Sequence, residues 1–123
     1  MEKAANAGNK TAASNMSLAY RKGDGVEVNI EKSIEWAIKA AELGDDDRIF
    51  QYAVAYFNGE DPVTEDKAKA VEFFVLAANA GSSTAMENLG VCYNNGYGVA
   101  LDKNKAIEWF EKAAKEGGFK KAM

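Results

Sequence analysis

The chain has no histidine. Histidine is the usual general base near neutral pH and a common metal ligand. Its absence excludes a Ser-His-Asp or Cys-His nucleophile system. Zinc would lack both imidazole ligands and, with a single cysteine, Cys92, a second thiolate. One cysteine also excludes an internal disulfide. The one proline, Pro62, leaves long stretches free to be helical. No apolar run is long enough to cross a bilayer, and Met1–Ala5 lacks the apolar core of a secretion signal. The expectation is a cytoplasmic protein if the chain is complete, with location unknown if it is part of a longer one. With 15 basic and 19 acidic residues, the net charge is -4. That balance argues against nucleic acid, which needs clustered Lys and Arg. No cofactor or metal is expected, and no membrane insertion.

What the 123 residues do contain is a repeat. The segment Ala85, Leu89, Gly90, Tyr93, Gly96, Gly98, Val99, Asp102, Lys105, Ala106, Trp109, Ala113, Ala114, Gly117 matches an earlier one displaced by 73 positions (Ala12 to Ala85, Gly44 to Gly117). The earlier copy reads Ala12, Met16, Ser17, Tyr20, Gly23, Gly25, Val26, Asn29, Lys32, Ser33, Trp36, Ala40, Ala41, Gly44. A weaker copy lies between: Arg48, Tyr52, Ala53, Tyr56, Gly59, Val63, Asp66, Lys69, Ala70, Phe73, Ala77, Ala78, Gly81. Its first half sits 36 residues after the first copy (Tyr20 to Tyr56) and its second half 37 (Asn29 to Asp66). One residue is therefore inserted between Gly59 and Val63. A period near 36 is that of a helical solenoid.

Each copy reads as two helices. Apolar residues three or four apart form the face of the first. Gly23, Gly59 or Gly96 supplies its left-handed stop. Asn29, Asp66 or Asp102 then starts the second helix by accepting bonds from unpaired amides. Ile34, Ala37, Ile38 and Ala41 form an apolar stripe, and the pairs Ala40–Ala41, Ala77–Ala78 and Ala113–Ala114 permit close helix approach. Gly44, Gly81 and Gly117 end the second helices. These signals predict helices at about 10–22, 30–43, 46–58, 66–80, 82–95 and 103–116.

The pattern from Ala85 to Gly117, with Phe110 and Lys112 in addition, resembles the Sel-1-like repeat family, relatives of the tetratricopeptide repeats. The resemblance covers the whole chain. It implies an all-α fold, a right-handed alpha-alpha superhelix of tandem helix-turn-helix repeats. It also implies a non-catalytic adaptor that binds a protein or peptide. The chain divides into one repeat domain, 1–123, with repeats at about 10–44, 46–81 and 82–117 and partial repeats at 1–8 and 119–123. Lys3, Ala4, Ala5 and Gly8 match Lys39, Ala40, Ala41 and Gly44; Ala122 and Met123 resemble Ala85 and Met86. No polar capping repeat is visible. Either the chain is cut from a longer array, or its open ends stack on another copy. The middle copy departs most: Arg48 replaces a small residue and puts tight packing there in doubt.

Other motifs reduce to structure. Gly23-Asp24-Gly25-Val26 and Gly96-Tyr97-Gly98-Val99 follow helices rather than strands, so they are turns and not phosphate loops. Asp45, Asp46 and Asp47 lack the spacing of a calcium loop and read as an acidic turn at a helix start. Cys92 aligns with Ala19 and Ala55 and reads as a packing residue; Trp36, Phe73 and Trp109 align with one another and read as core.

The resemblance places the first helices on a concave face. Mapped from Tyr20, Tyr56 and Tyr93, its lining includes Thr11, Ser14, Leu18, Arg21 and Lys22, then Asp47, Phe50, Val54, Phe57 and Asn58, then Thr84, Glu87, Val91, Asn94 and Asn95. Phe50 and Phe57 stand where the neighbouring copies have Ser14 and Arg21, or Glu87 and Asn94. Either they pack locally in an irregular repeat, or they form the apolar centre of a polar groove. In the second case Phe50 and Phe57 anchor a partner's apolar side chain, with Val54 among the contacting residues. Arg21, Lys22, Asn58, Asn94, Asn95 and Glu87 surround it, the cationic and amide groups among them bonding backbone or carboxylates. Alanine at Phe50 or Phe57 would then weaken binding with little effect on folding. Two alternatives stay open. One is a hydrolase or cell-wall activity built on carboxylates, for which Asp47 and Glu87 are the acids on that face. The other is self-assembly through open solenoid ends.

Overall fold

The computed structural model describes residues 9–118. They form six α-helices and no strand: α1 Lys10–Lys22, α2 Ile30–Glu42, α3 Asp47–Asn58, α4 Lys67–Asn79, α5 Ser83–Asn95 and α6 Lys103–Ala113. Each agrees with the predicted span to within a residue or so, except the last. There the helix passes into a π-helical turn, Ala114–Gly118, so Gly117 lies inside that turn instead of stopping α6. The architecture is a helical-repeat solenoid. The helices of each pair, α1–α2, α3–α4 and α5–α6, pack most extensively on each other, and α2 and α4 also pack on the first helix of the next pair.

The same hydrogen bonds close all three pairs. Gly23, Gly59 and Gly96 are left-handed at φ 81°, 73° and 75°, and their amides bond the carbonyls of Ala19, Ala55 and Cys92. No side chain with a Cβ adopts that conformation cheaply, which is why glycine recurs. The chain then folds back so that the amides of Asn29, Asp66 and Asp102 donate to the carbonyls of Tyr20, Tyr56 and Tyr93, at 2.7–2.9 Å. The side chains of those same three residues accept from the amides of Lys32, Lys69 and Lys105. The three lysines in turn place their ammonium groups 5.5, 5.8 and 5.4 Å from the ring centres of Tyr20, Tyr56 and Tyr93. The repeated Tyr and Lys are thus one cross-pair contact, a cation over an aromatic face.

The main core runs from Ala37 to Ala113 and is built on Ile49, Tyr52, Phe73, Phe74, Met86 and Leu89. A smaller cluster joins Ala12, Ala13, Met16 and Tyr20 of α1 to Ala40 of α2. Phe73 is buried; Trp36 and Trp109 are only partly so, each packed against one of the two clusters. Between the clusters lies a buried polar link. Ser17 Oγ donates to the Ser33 carbonyl and Ser33 Oγ to the Ser17 carbonyl, both at 2.7 Å. The Tyr52 hydroxyl completes it, 2.7 Å from Ser33 Oγ. Arg48 does not loosen the middle repeat as expected. It is partly buried and bridges to α1, its Nε donating to Ser14 Oγ at 3.1 Å. The partial repeats expected at 1–8 and at 119–123 lie outside the described residues.

Candidate functional site

The face formed by α1, α3 and α5 carries three adjoining hollows that share side chains. One, of about 390 Å³, includes Arg21, Phe50, Gln51, Val54, Glu60 and Asp61. Another, of about 270 Å³, lies beside Asp46, Asp47, Phe50, Gln51, Ser82 and Thr84. The third, also about 270 Å³, is the most apolar. Val54, Phe57, Phe74, Val91, Cys92 and Tyr97 line it with the amides of Asn58 and Asn88. On α3, Phe50 is shared by the first two hollows and Val54 by the first and third, and Phe57, one turn further on, lines the third alone.

Of the two readings of Phe50 and Phe57, local packing is seen directly. They border open hollows, and they also pack edge-on against the buried Phe74 of α4, with ring centres 5.8 and 6.4 Å away. The expectation that their truncation has little effect on folding is therefore revised: each would lose an aromatic contact with the core. Phe57 is further fixed by Lys67, whose Nζ stands 4.2 Å from the ring centre and donates to the Phe57 carbonyl. On its open side the ring meets Tyr97, at 5.7 Å.

Of the other residues expected here, Arg21 and Asn58 line the hollows, as do Val91, Thr84 and Asp47. Lys22, Glu87, Asn94 and Asn95 are not among the lining residues of these three. Asn94 Oδ1 is taken up by Lys103 at 3.1 Å, and Asn95 Nδ2 donates to the Val91 carbonyl one turn back. Phe74, Asn88 and Tyr97 were not foreseen. Phe74 belongs to a second helix and Tyr97 to a turn, and neither lies on the stripe that a first-helix register selects. Tyr97 did carry a signal, since an aromatic replaces the acid Asp24 of the first copy.

The chemistry of the face is that of contact. Cys92 is 1% exposed at the base of the apolar hollow. Burial pushes its thiol up from the ordinary range, with Lys67 acting weakly the other way, so it is a packing residue. Asp45, Asp46 and Asp47 bring carboxylate oxygens within 4.8 Å of one another. Asp45 Oδ1 accepts from the Asp47 amide, and the group sits at the positive end of α3, which accounts for the cluster.

Comparison with known proteins gives a consistent result. The family model described as Sel1 repeat matches residues 11–45, 49–82 and 83–118. The chitin synthase regulator SKT5 of Saccharomyces cerevisiae is 32% identical over 113 residues, 90% of this chain. The chain spans only 16% of that protein's length. The crystal structure of a Sel1 repeat protein from Oxalobacter formigenes is 35% identical, with TM-score 0.71 and coverage of 94% of this chain and 86% of the other. A protective antigen of uropathogenic Escherichia coli with an SLR fold is 32% identical at TM-score 0.66, over 94% of this chain and 25% of its own.

Proposed function

The chain belongs to the Sel1 repeat family, whose members generally mediate protein–protein interactions, and from that premise we propose that it is a non-catalytic scaffold holding a peptide or protein segment along the concave α1/α3/α5 face. One observation carries the reading. Phe50 and Phe57 are partly buried aromatics bordering the hollows where the other repeats place Ser14 and Arg21, or Glu87 and Asn94, and Val54 between them links two of the hollows. Large aromatics that are held in place and partly exposed beside a groove are the usual anchors of an interface. The apolar hollow at Phe57 has room for one aliphatic or aromatic side chain, with the Asn58 and Asn88 amides beside it for the partner's backbone.

A random-peptide phage library selected on the immobilised protein tests this. Selected peptides should share an apolar residue. Tyr97→Ala is the cleanest variant, because Tyr97 is 40% exposed in a turn. Its loss should weaken binding by about 1–2 kcal/mol while folding loses only about 1 kcal/mol. Phe57→Ala should weaken binding at least as much, with a larger folding cost, so its affinity is read well below its melting temperature. Peptides that bind both variants like wild type would place the functional surface elsewhere.

A second reading, self-association, has its own observation. On α6, Ile107 and Phe110 are 55% and 40% exposed, whereas their equivalents on α4, Val71 and Phe74, are buried. Light scattering over a range of concentrations separates it from the first. The carboxylate-hydrolase reading has no comparable support, since Glu87 lines none of the three hollows.

A further inference from the structure

Arg48 stands where the flanking repeats have Ala12 and Ala85, and its Nε is taken up by the bridge to Ser14 Oγ at 3.1 Å. It rises from the first turn of α3 and points its Nη1 to Gln51 Oε1 at 3.4 Å. Arg21, from the last turn of α1, brings its own Nη1 to the same oxygen at 3.5 Å, over the Tyr52 ring at 5.7 Å. Two guanidiniums thus converge on one neutral, exposed amide oxygen, through contacts at the long limit of hydrogen bonding. Among the described residues neither has a carboxylate within 4.0 Å; the ion pair found there is Lys67–Glu65. This happens in a chain with more acids than bases. Glu60 and Asp61 border the same hollow as Arg21 without closing on it. Arginine forks bind carboxylates strongly and in a defined geometry.

We propose that Arg21 and Arg48 form a carboxylate subsite at the α1/α3 end of the groove, which selects peptides carrying an internal Asp or Glu side chain close in sequence to the apolar residue held at Phe57. The inference rests on the groove reading above. Continuity supports it on the Arg21 side: Arg21, Gln51 and Val54 share one hollow, and Val54 and Phe57 share the next; Arg48 lines neither and joins through its contact with Gln51. A carboxylate arriving at the guanidiniums would displace Gln51 Oε1 as their acceptor, and the exposed Gln51 side chain is free to swing aside.

Gln51→Glu tests this directly, because it places a resident carboxylate where the partner's would sit. The probe is an array of N-acetylated, C-amidated peptides. Each has one Leu and one Glu at varied separation, beside a matched set with Gln in place of Glu. Wild type should bind the best Glu peptides about tenfold or more tighter than their Gln matches. Gln51→Glu should abolish that preference and melt no lower than wild type. Arg48→Lys should lose most of the preference while keeping the charge. Equal binding of Glu and Gln peptides, or a preference that survives Gln51→Glu, overturns the subsite. If the equally bound peptides are still lost in Tyr97→Ala, the groove reading stands without it. If no peptide of either set binds, both fall.

Discussion

Gly25 and Gly98 occupy the same place in the repeat and have nearly the same backbone, φ 78° and 72°. Their surroundings differ. A Cβ at Gly25 would meet nothing within 4 Å, whereas one at Gly98 would fall against the Lys67 carbonyl and within 2.9 Å of the Ala68 amide nitrogen. Gly98 therefore serves two needs, the left-handed turn and the close approach of that turn to the start of α4. Alanine at Gly25 should cost only the conformational penalty, about 1–2 kcal/mol. Alanine at Gly98 should cost about 1–3 kcal/mol more, because backbone atoms cannot step aside as a flexible side chain can. Denaturant midpoints of the two variants, at unchanged m-value, measure the difference. Equal losses would mean that the contact between the turn and α4 is not as described.

At the scale of the helix, the buried link between α1, α2 and α3 shows what a repeat alignment reveals and what it hides. Ser17, Ser33 and Tyr52 each depart from an apolar or small equivalent: Ala53 and Gly90, Ala70 and Ala106, Met16 and Leu89. Together they compensate. With Ser17 donating to the Ser33 carbonyl and Ser33 to the Ser17 carbonyl, the Tyr52 hydroxyl donates to Ser33 Oγ, and no proton is left over. Ser33→Ala should cost about 1–3 kcal/mol by stranding the Tyr52 hydroxyl. The triple replacement Ser17→Ala, Ser33→Ala, Tyr52→Phe should lie closer to wild type than Ser33→Ala alone, a non-additivity read by thermal or chemical denaturation. Additive losses would show that the three groups act separately. Helices, left-handed stops and caps were legible beforehand because each depends on a few adjacent residues. That Phe50 and Phe57 border open hollows was legible because both break the repeat in chemistry. The Ser–Tyr compensation, the Phe74 floor, the Tyr97 wall and the Arg21–Gln51–Arg48 convergence were not. Each joins side chains from different elements, at distances that no local pattern encodes.

For the whole molecule, a solenoid's stability is distributed along its axis as local terms plus nearest-neighbour interfaces. Here the distribution is uneven. The central helix α4 buries Ala70, Val71, Phe73, Phe74, Ala77 and Ala78, whereas α6 buries only Ala106 and Ala113. The difference is concentrated at equivalent positions: Val71 is 6% exposed against 55% for Ile107, and Phe74 is 3% exposed against 40% for Phe110. Two large apolar side chains left half in water forfeit about 2 kcal/mol or more between them. Native-state hydrogen exchange should therefore find α6 opening at a free energy lower than α4 by about that amount. The α1 amides should fall between, since α1 has a small cluster of its own and is tied to α3 through Ser17, Ser33 and Tyr52. Amides of α6 that exchange only with global unfolding, together with those of α4, would make the described part of the solenoid a single cooperative unit and remove the gradient. If the gradient is found, the groove lies at the right place in it. Phe50 and Phe57 pack on Phe74, in the pair expected to be most protected, so as proposed anchors they would be held in place before a partner arrived, with little ordering left to oppose association.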